Sequence, residues 1–242
     1  MKTFANKFFF LLILSFISVK LCLAQVSSGK LIYERKTNLH KKFKGDTEEW
    51  IKDVDKIKID EFELIFNDSL SVFKLKESEL KEQMEWTTEK NTVYQNFATK
   101  RKFTIKSIWG EKFNVADTLT YRKWKITDSH RNIAGFNCRK AIWEANDSTR
   151  IYAWYCNEIS VSSGPESFNG LPGLILGLAT EDGSVIYFAK QIVLAKQTSL
   201  TLLPEKTKAK TYTTKELRDK LTKDFGKKNW GKAMINETFD IW

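Results

Sequence analysis

Cys138 and Cys156 lie symmetrically about Asp147, inside the turn-like Asn146-Asp147-Ser148, so residues whose numbers sum to 294 face each other across a hairpin. The same register sets Glu144 opposite Arg150, Ile142 opposite Tyr152 and Lys140 opposite Trp154, pairings of the kind that stabilise sheets. An exported chain oxidises two such thiols, so a cross-strand Cys138–Cys156 disulfide is expected, worth roughly 3 kcal/mol on the loop-entropy account. A redox or metal-binding pair would call for Cys-x-x-Cys spacing or neighbouring histidines, which this pair lacks. His40, beside Lys41, Lys42 and Lys44, and His130, in Asp128-Ser129-His130-Arg131, both read as surface residues. Two acid pairs, Asp53 with Asp55 and Glu61 with Glu63, would act only if the fold brought them to a cleft, and alternating acids on a strand usually face solvent. The sequence therefore reads as non-catalytic, with no metal and no cofactor.

A second concentration of unusual residues is the segment Gly164-Pro165-Glu166-Ser167-Phe168-Asn169-Gly170-Leu171-Pro172-Gly173, which holds two of the three prolines and three of the eleven glycines. Pro172 and Gly173 suit the central positions of a type II turn, the first fixing φ near −65° and the second supplying positive φ. Leu174 and Ile175 then re-enter a sheet. No helix carrying Lys or Ser/Thr follows these glycines, so the loop is not a phosphate cradle. Its turn formers and aliphatics read as a fold device. Trp124, Trp143, Tyr152 and Trp154 are the aromatic residues placed to stack on a sugar or lipid if one face of a curved sheet is open.

The elements that must position these residues are mostly strands. Hydrophobic residues make up 42% and aromatics 13% of the chain with only three prolines, which excludes disordered and collagen-like classes. Short alternating segments rich in Phe, Ile, Val, Tyr and Trp predict strands at 30–36, 57–67, 70–75, 93–98, 103–109, 119–127, 136–145, 149–159, 174–180 and 184–194. Asn67-Asp68-Ser69 and Asp182-Gly183 carry hairpin chemistry, so a meander is expected. Asp46 to Ile57 predicts one helix. Thr213-Thr214-Lys215-Glu216 is a capping box opening another at about 214–226, with Leu217, Leu221 and Phe225 on one face.

Residues 1–24 read as a signal peptide: Lys2 and Lys7, an apolar run from Phe8 to Val19, and Cys22-Leu23-Ala24 at the cleavage positions. The run is short for an uncleaved anchor, and Leu21 is a poor residue before a lipid-accepting cysteine. Residues 25–242 would then form a single β-rich domain. Cleavage removes three lysines, so the net charge falls from +10 to +7. Export argues against nucleic acid as the partner of this basic chain, leaving anionic glycolipid, an acidic protein face or plain solubility.

Gly170-Leu171-Pro172-Gly173-Leu174-Ile175 resembles the signature of the GLPGLI family of exported Bacteroidota proteins. Gly135-Phe136-Asn137-Cys138-Arg139-Lys140-Ala141 looks like the family's Gly-aromatic-x-Cys-x-Lys-Ala element, and Gly29 to Tyr33 like its opening strand. Family members are similar in pattern to the bowl-like N-terminal domain of a flavobacterial peptide N-glycanase. The resemblance implies a strongly curved open antiparallel sheet, a half-barrel or bowl, with one or two short helices. It implies no reaction. Genomic company with outer-membrane transporters of the TonB-dependent type implies an envelope protein, periplasmic, outer-membrane associated or secreted, acting as an accessory binding partner; glycan binding and lipid or lipoprotein binding are the alternatives. Envelope placement also makes the Asp-Ser/Thr-apolar motifs Asp68-Ser69-Leu70 and Asp117-Thr118-Leu119 candidate O-glycosylation sites at Ser69 and Thr118, with Asp147-Ser148-Thr149 a weaker match at Ser148.

Overall fold

The computed structural model describes residues 28–43, 48–49, 51, 56–76, 84–108, 110–194 and 209–242. The expected signal peptide lies outside them, as does most of the helix expected at 46–57. The protein is mainly β, built on one open twelve-stranded sheet. Its strands are β1 (Gly29–Asn38), β2 (Ile57–Phe66), β3 (Leu70–Leu75), β4 (Thr92–Asn96), β5 (Arg101–Ile108) and β6 (Glu111–Thr118), followed by β7 (Lys125–Ile133), β8 (Phe136–Asn146), β9 (Thr149–Cys156), β10 (Leu174–Thr180), β11 (Val185–Leu194) and β12 (Thr211–Tyr212). Their order across the sheet is β12-β6-β5-β4-β3-β2-β1-β11-β10-β9-β8-β7. Every neighbouring pair is antiparallel except β12 on β6.

Chain connectivity forces this sheet to curl. Residues 119–124 link β6, next to one edge, directly to β7, the opposite edge. Seven residue steps span at most about 25 Å, whereas ten strand intervals laid flat would cover about 48 Å. The inner face holds a core of Leu31, Tyr33, Phe62, Leu64, Phe73, Val93, Ala141, Ile151, Ala153, Leu178 and Tyr187. Phe62 stacks on Phe73 with centroids 5.1 Å apart, and Tyr187 meets both edge-on. On the outer face Glu61 and Glu63 are neutralised by Lys76 and Lys190 and by Lys30 and Lys74, so this acid pair is part of an ion-pair ladder.

Both hairpins read from sequence form. Asn67 closes the β2–β3 turn by accepting from the Leu70 amide at 2.7 Å, and Gly183 takes φ +67° between β10 and β11. The strand expected at 119–127 does not form. Its place is taken by β6 before it and β7 after it. β7, Lys-Ile-Thr-Asp-Ser-His-Arg-Asn-Ile, is a polar edge strand exposed over most of its length, so it lacks the apolar alternation that marks strands.

The C-terminal helix α2 (Thr214–Phe225), which follows the helical turn α1 (Leu39–Lys42), begins at the expected capping box. Thr213 Oγ1 accepts from the Glu216 amide, and the Glu216 carboxylate accepts from the Thr213 amide at 2.7 Å. Leu217 and Leu221 pack with Ile235 of a further helix, α3 (Asn229–Asn236), against Ile108, Phe113 and Val115. A π-helical turn, Glu237–Ile241, then carries the chain across the inner face.

Candidate functional site

The segment between β9 and β10 enters the bowl, with Ile159, Val161, Phe168 and Leu171 all buried. Its glycines answer to space as much as to conformation. A Cβ on Gly173 would lie 2.1 Å from the Cys156 carbonyl oxygen. The expected type II turn is absent: the Gly173 amide donates to the Leu171 carbonyl at 2.8 Å, a three-residue turn centred on Pro172, while the Leu174 amide is taken by Ile159. Beside these residues Glu166 adopts φ +53°, a strained backbone for a non-glycine residue, and is itself buried.

The loop also brings polar groups to the floor of the bowl. Tyr187 donates to Glu166 Oε1 at 2.8 Å, Asn169 Nδ2 to Gln95 Oε1 at 3.0 Å, Trp124 Nε1 to the Asn169 carbonyl at 2.9 Å, and Ser163 to Ser71 at 3.0 Å. Arg35 lies over the rings of Phe62 and Tyr187, its guanidinium carbon 5.8 and 5.5 Å from their centroids. Its Nε and Nη1 have no hydrogen-bond partner. Burial alone would lower the Arg35 pKa, but Tyr187, Glu89, Glu166 and Asp60 outweigh it and hold the group above its ordinary value.

The two interior glutamates part company. Burial would raise Glu89, yet Lys42, at 3.0 Å, together with Arg35 and Lys106 brings it down to about 2. Burial and the Glu89 charge raise Glu166 against the pull of Arg35 and Tyr187. Near them Lys58 pairs with Asp60, whose carboxylate also accepts from Thr88. Sequence reading missed this cluster. Its one visible sign is charge on the inner-face positions of otherwise apolar strands: Arg35 faces Asp60 on β2 and Tyr187 on β11.

Between the sheet, the loop and the C-terminal segment is a cavity of about 130 Å³. Lys102, Thr104 and Lys106 of β5 line it with Thr120, Arg122, Trp143 and Ser167, and Phe239, Ile241 and Trp242 roof it. β5 and β8 are eight strand intervals apart in the sheet, about 38 Å if flat, so a shared small cavity measures how tightly the sheet curls. Arg122 donates from Nη1 to the Ser167 carbonyl at 3.1 Å and sits 4.0 Å from the Phe168 centroid and 4.9 Å from that of Trp143. Burial lowers Arg122 to about 10; burial, Arg122 and Lys106 lower Lys102 to about 8. Lys106 Nζ donates to the Thr238 carbonyl at 3.1 Å, tying β5 to the roof.

The four stacking candidates do not form one platform. Trp124 and Trp143 pack around Phe168 at the loop, with centroids 6.3 and 5.9 Å from its ring. Tyr152 and Trp154 point to the opposite face, where Lys140 lies 3.8 Å from the Tyr152 centroid and Arg131 lies 4.8 Å from that of Trp154. The 294 register itself holds, pairing Lys140 with Trp154, Ile142 with Tyr152 and Glu144 with Arg150.

The expected disulfide is not formed. Cys138, near the start of β8, and Cys156, at the end of β9, are buried free thiols, and Cys138 Sγ lies 3.6 Å from the Phe136 carbonyl, turned along its own strand. Of the modification candidates, Thr118 and Ser148 are exposed and Ser69 is half-buried in the β2–β3 turn. His130 is exposed on β7, its Nδ1 2.8 Å from the Asp128 carbonyl, and His40 is exposed on α1. Among the described residues no cluster of His, Cys, Asp or Glu is placed to hold a metal, and no helix is long and apolar enough to cross a membrane.

Solved structures with this architecture include two crystal forms of PNGF-II, a flavobacterial peptide N-glycanase. The P21 form superposes with a TM-score of 0.55 at 17% identity over 82% of this chain, and the C2 form with 0.54 at 18% over 80%. The matched region is 34% and 32% of those chains, so this protein spans about a third of their length. No curated protein sequence matches the chain. Residues 143–177, from Trp143 through the loop to Gly177, match the profile of Porph_ging, a GLPGLI-type family described as proteins of unknown function.

Proposed function

We propose that the protein is a non-catalytic accessory of the bacterial envelope that binds an outer-membrane complex of the TonB-dependent type through the basic outer side of its C-terminal helices. The observation that carries this reading is the division of α2 into two faces. Leu217 and Leu221 are spent on the core under the sheet edge, while Lys215, Lys220, Lys223, Lys227 and Lys228 are exposed on the helix and its exit. Lys215 and Lys220 are partly neutralised by Asp219 and Asp224 one turn on, which leaves the positive charge densest at the end of the helix. An acidic partner surface would feel that charge over a Debye length of about 8 Å at physiological salt. The test is affinity capture from detergent-solubilised envelopes by wild-type protein and by a variant carrying Lys220→Glu, Lys223→Glu, Lys227→Glu and Lys228→Glu. The expected result is one outer-membrane species captured by the wild type, lost with rising salt and lost in the folded variant. Equal capture by both proteins would refute the basic-face contact.

A glycan-binding role is the second reading. It is supported by the cavity walled by Trp143 and Trp242 and by the fold shared with a peptide N-glycanase. Sugar-specific binding with no captured envelope protein would favour it over the accessory role.

A further inference from the structure

The inner cavity has a composition that the fold itself does not explain. Three cations line it, Lys102, Lys106 and Arg122, and among the described residues no acidic side chain does. Buried charges are ordinarily paired, because removing them from water without a counter-charge is costly. Other charges in this protein are paired, Lys42 with Glu89, Lys58 with Asp60, and the outer lysines with Glu61 and Glu63, while buried Arg35 has no direct partner but feels Glu89, Glu166 and Asp60. Lys106 feels the interior charges of Glu89 and Glu166, but Lys102 has only Asp117, which faces it across β5 and β6 and is already engaged by the amides of Thr118 at 2.8 Å and Thr214 at 3.3 Å.

Arg122 is held in a fixed attitude. Both terminal nitrogens are directed at Ser167, at 3.1 and 3.4 Å, and the plane is packed against Phe168 and Trp143. Its Nε is buried and unpartnered. Lys102 makes no hydrogen bond or ion pair with any described residue, and it and Arg122 repel one another at close range. Thr104, Thr120 and Thr214 add hydroxyl donors to the same walls. We propose that this cavity is a binding site for the oxyanion of a small ligand, a carboxylate or a phosphate, held by Arg122, Lys102 and Lys106 beneath the roof of Phe239, Ile241 and Trp242. An oxyanion supplies counter-charge to Arg122 and Lys102, accepts from the Arg122 Nε–H and the Lys102 ammonium, and in the case of phosphate is of a size with a cavity of about 130 Å³. The inference stands whether or not the outer face of α2 binds a protein.

The test is calorimetric titration of the purified protein with sodium phosphate, sodium glucuronate and glucose, on wild type, Arg122→Gln and Lys102→Gln. Saturable binding of phosphate or glucuronate, weakened by added salt and at least about tenfold in each variant, is the expected result. Tighter phosphate than glucuronate assigns the source as a phosphate, and the reverse order assigns a carboxylate. Lys102→Gln should also melt higher than wild type without ligand, because it removes a repulsive buried charge, so it separates binding from folding even if Arg122→Gln is unstable. Absence of saturable anion binding, glucose binding as tightly as glucuronate, or a Lys102→Gln protein that binds like wild type would each overturn the proposal.

Discussion

Tyr187 on β11 donates a 2.8 Å hydrogen bond to Glu166, a buried loop residue held at φ +53°. That contact joins the sheet floor to the loop through a strained backbone. Tyr187→Phe removes the donor and leaves a buried carboxyl less satisfied, a loss of about 1–3 kcal/mol that lowers the melting temperature by several degrees in a chain of this size. Glu166→Gln keeps an acceptor and removes the titration. Burial and Glu89 raise the Glu166 pKa in the folded state, so its protonated form stabilises the fold at acid pH and that contribution is lost as pH rises through the folded value. Thermal melts should therefore show Glu166→Gln gaining on wild type towards neutral pH and converging with it at acid pH.

Glu89 has the opposite sign. Its folded pKa of about 2 lies below the ordinary carboxylate value, so its contribution is present above that value and is lost as pH falls towards 2. Acid titration followed by circular dichroism should find Glu89→Gln destabilised at pH 7 and less sensitive than wild type to acid between about 4.5 and 2.

Lys102, lowered to about 8, binds a proton less readily in the folded state than in the unfolded one. Wild-type stability should rise between about pH 8 and 10.5 from this group, and Lys102→Gln should flatten that rise while gaining about 1–3 kcal/mol at pH 7, a range that allows for solvent screening of a half-buried ammonium. Urea denaturation at three pH values checks both.

Gly173→Ala should be among the most damaging single changes in the loop. Its new methyl would meet the Cys156 carbonyl at 2.1 Å, and relief requires moving β9 against β10. Gly135→Ala is the control, with positive φ but nothing within 4 Å of the added carbon, and should cost only about 1–2 kcal/mol. Soluble yield and melting temperature should separate the two clearly.

The thiols supply the last test. Burial and the neighbouring Cys156 push Cys138 up to about 12, and burial raises Cys156 as well. Neither should react with an alkylating reagent in the native protein at pH 8, and both should react after denaturation without reductant. Loss of thiol titre in the denatured, unreduced protein would show them oxidised.

Local rules settled much of this fold. The pairing of β8 with β9 follows from Asn146-Asp147-Ser148 and from complementary residues at numbers summing to 294, and the α2 start follows from Thr213 and Glu216, because hairpin register and capping are short-range effects. The bowl itself was legible through the six residues from Gly170 to Ile175 and the opening strand. β7 was not, since an exposed edge strand owes its pairing to β8 rather than to its own apolar pattern. Only the folded chain decided that Trp124 and Trp143 pack together around Phe168, that the cysteines remain thiols, and that Lys102, Arg122 and Trp242, drawn from a strand, a link and the C-terminal segment, share one cavity. Those relationships depend on the curl of the sheet and the path of the loop across it. Both arise from contacts between residues far apart in the chain, which no local pattern records.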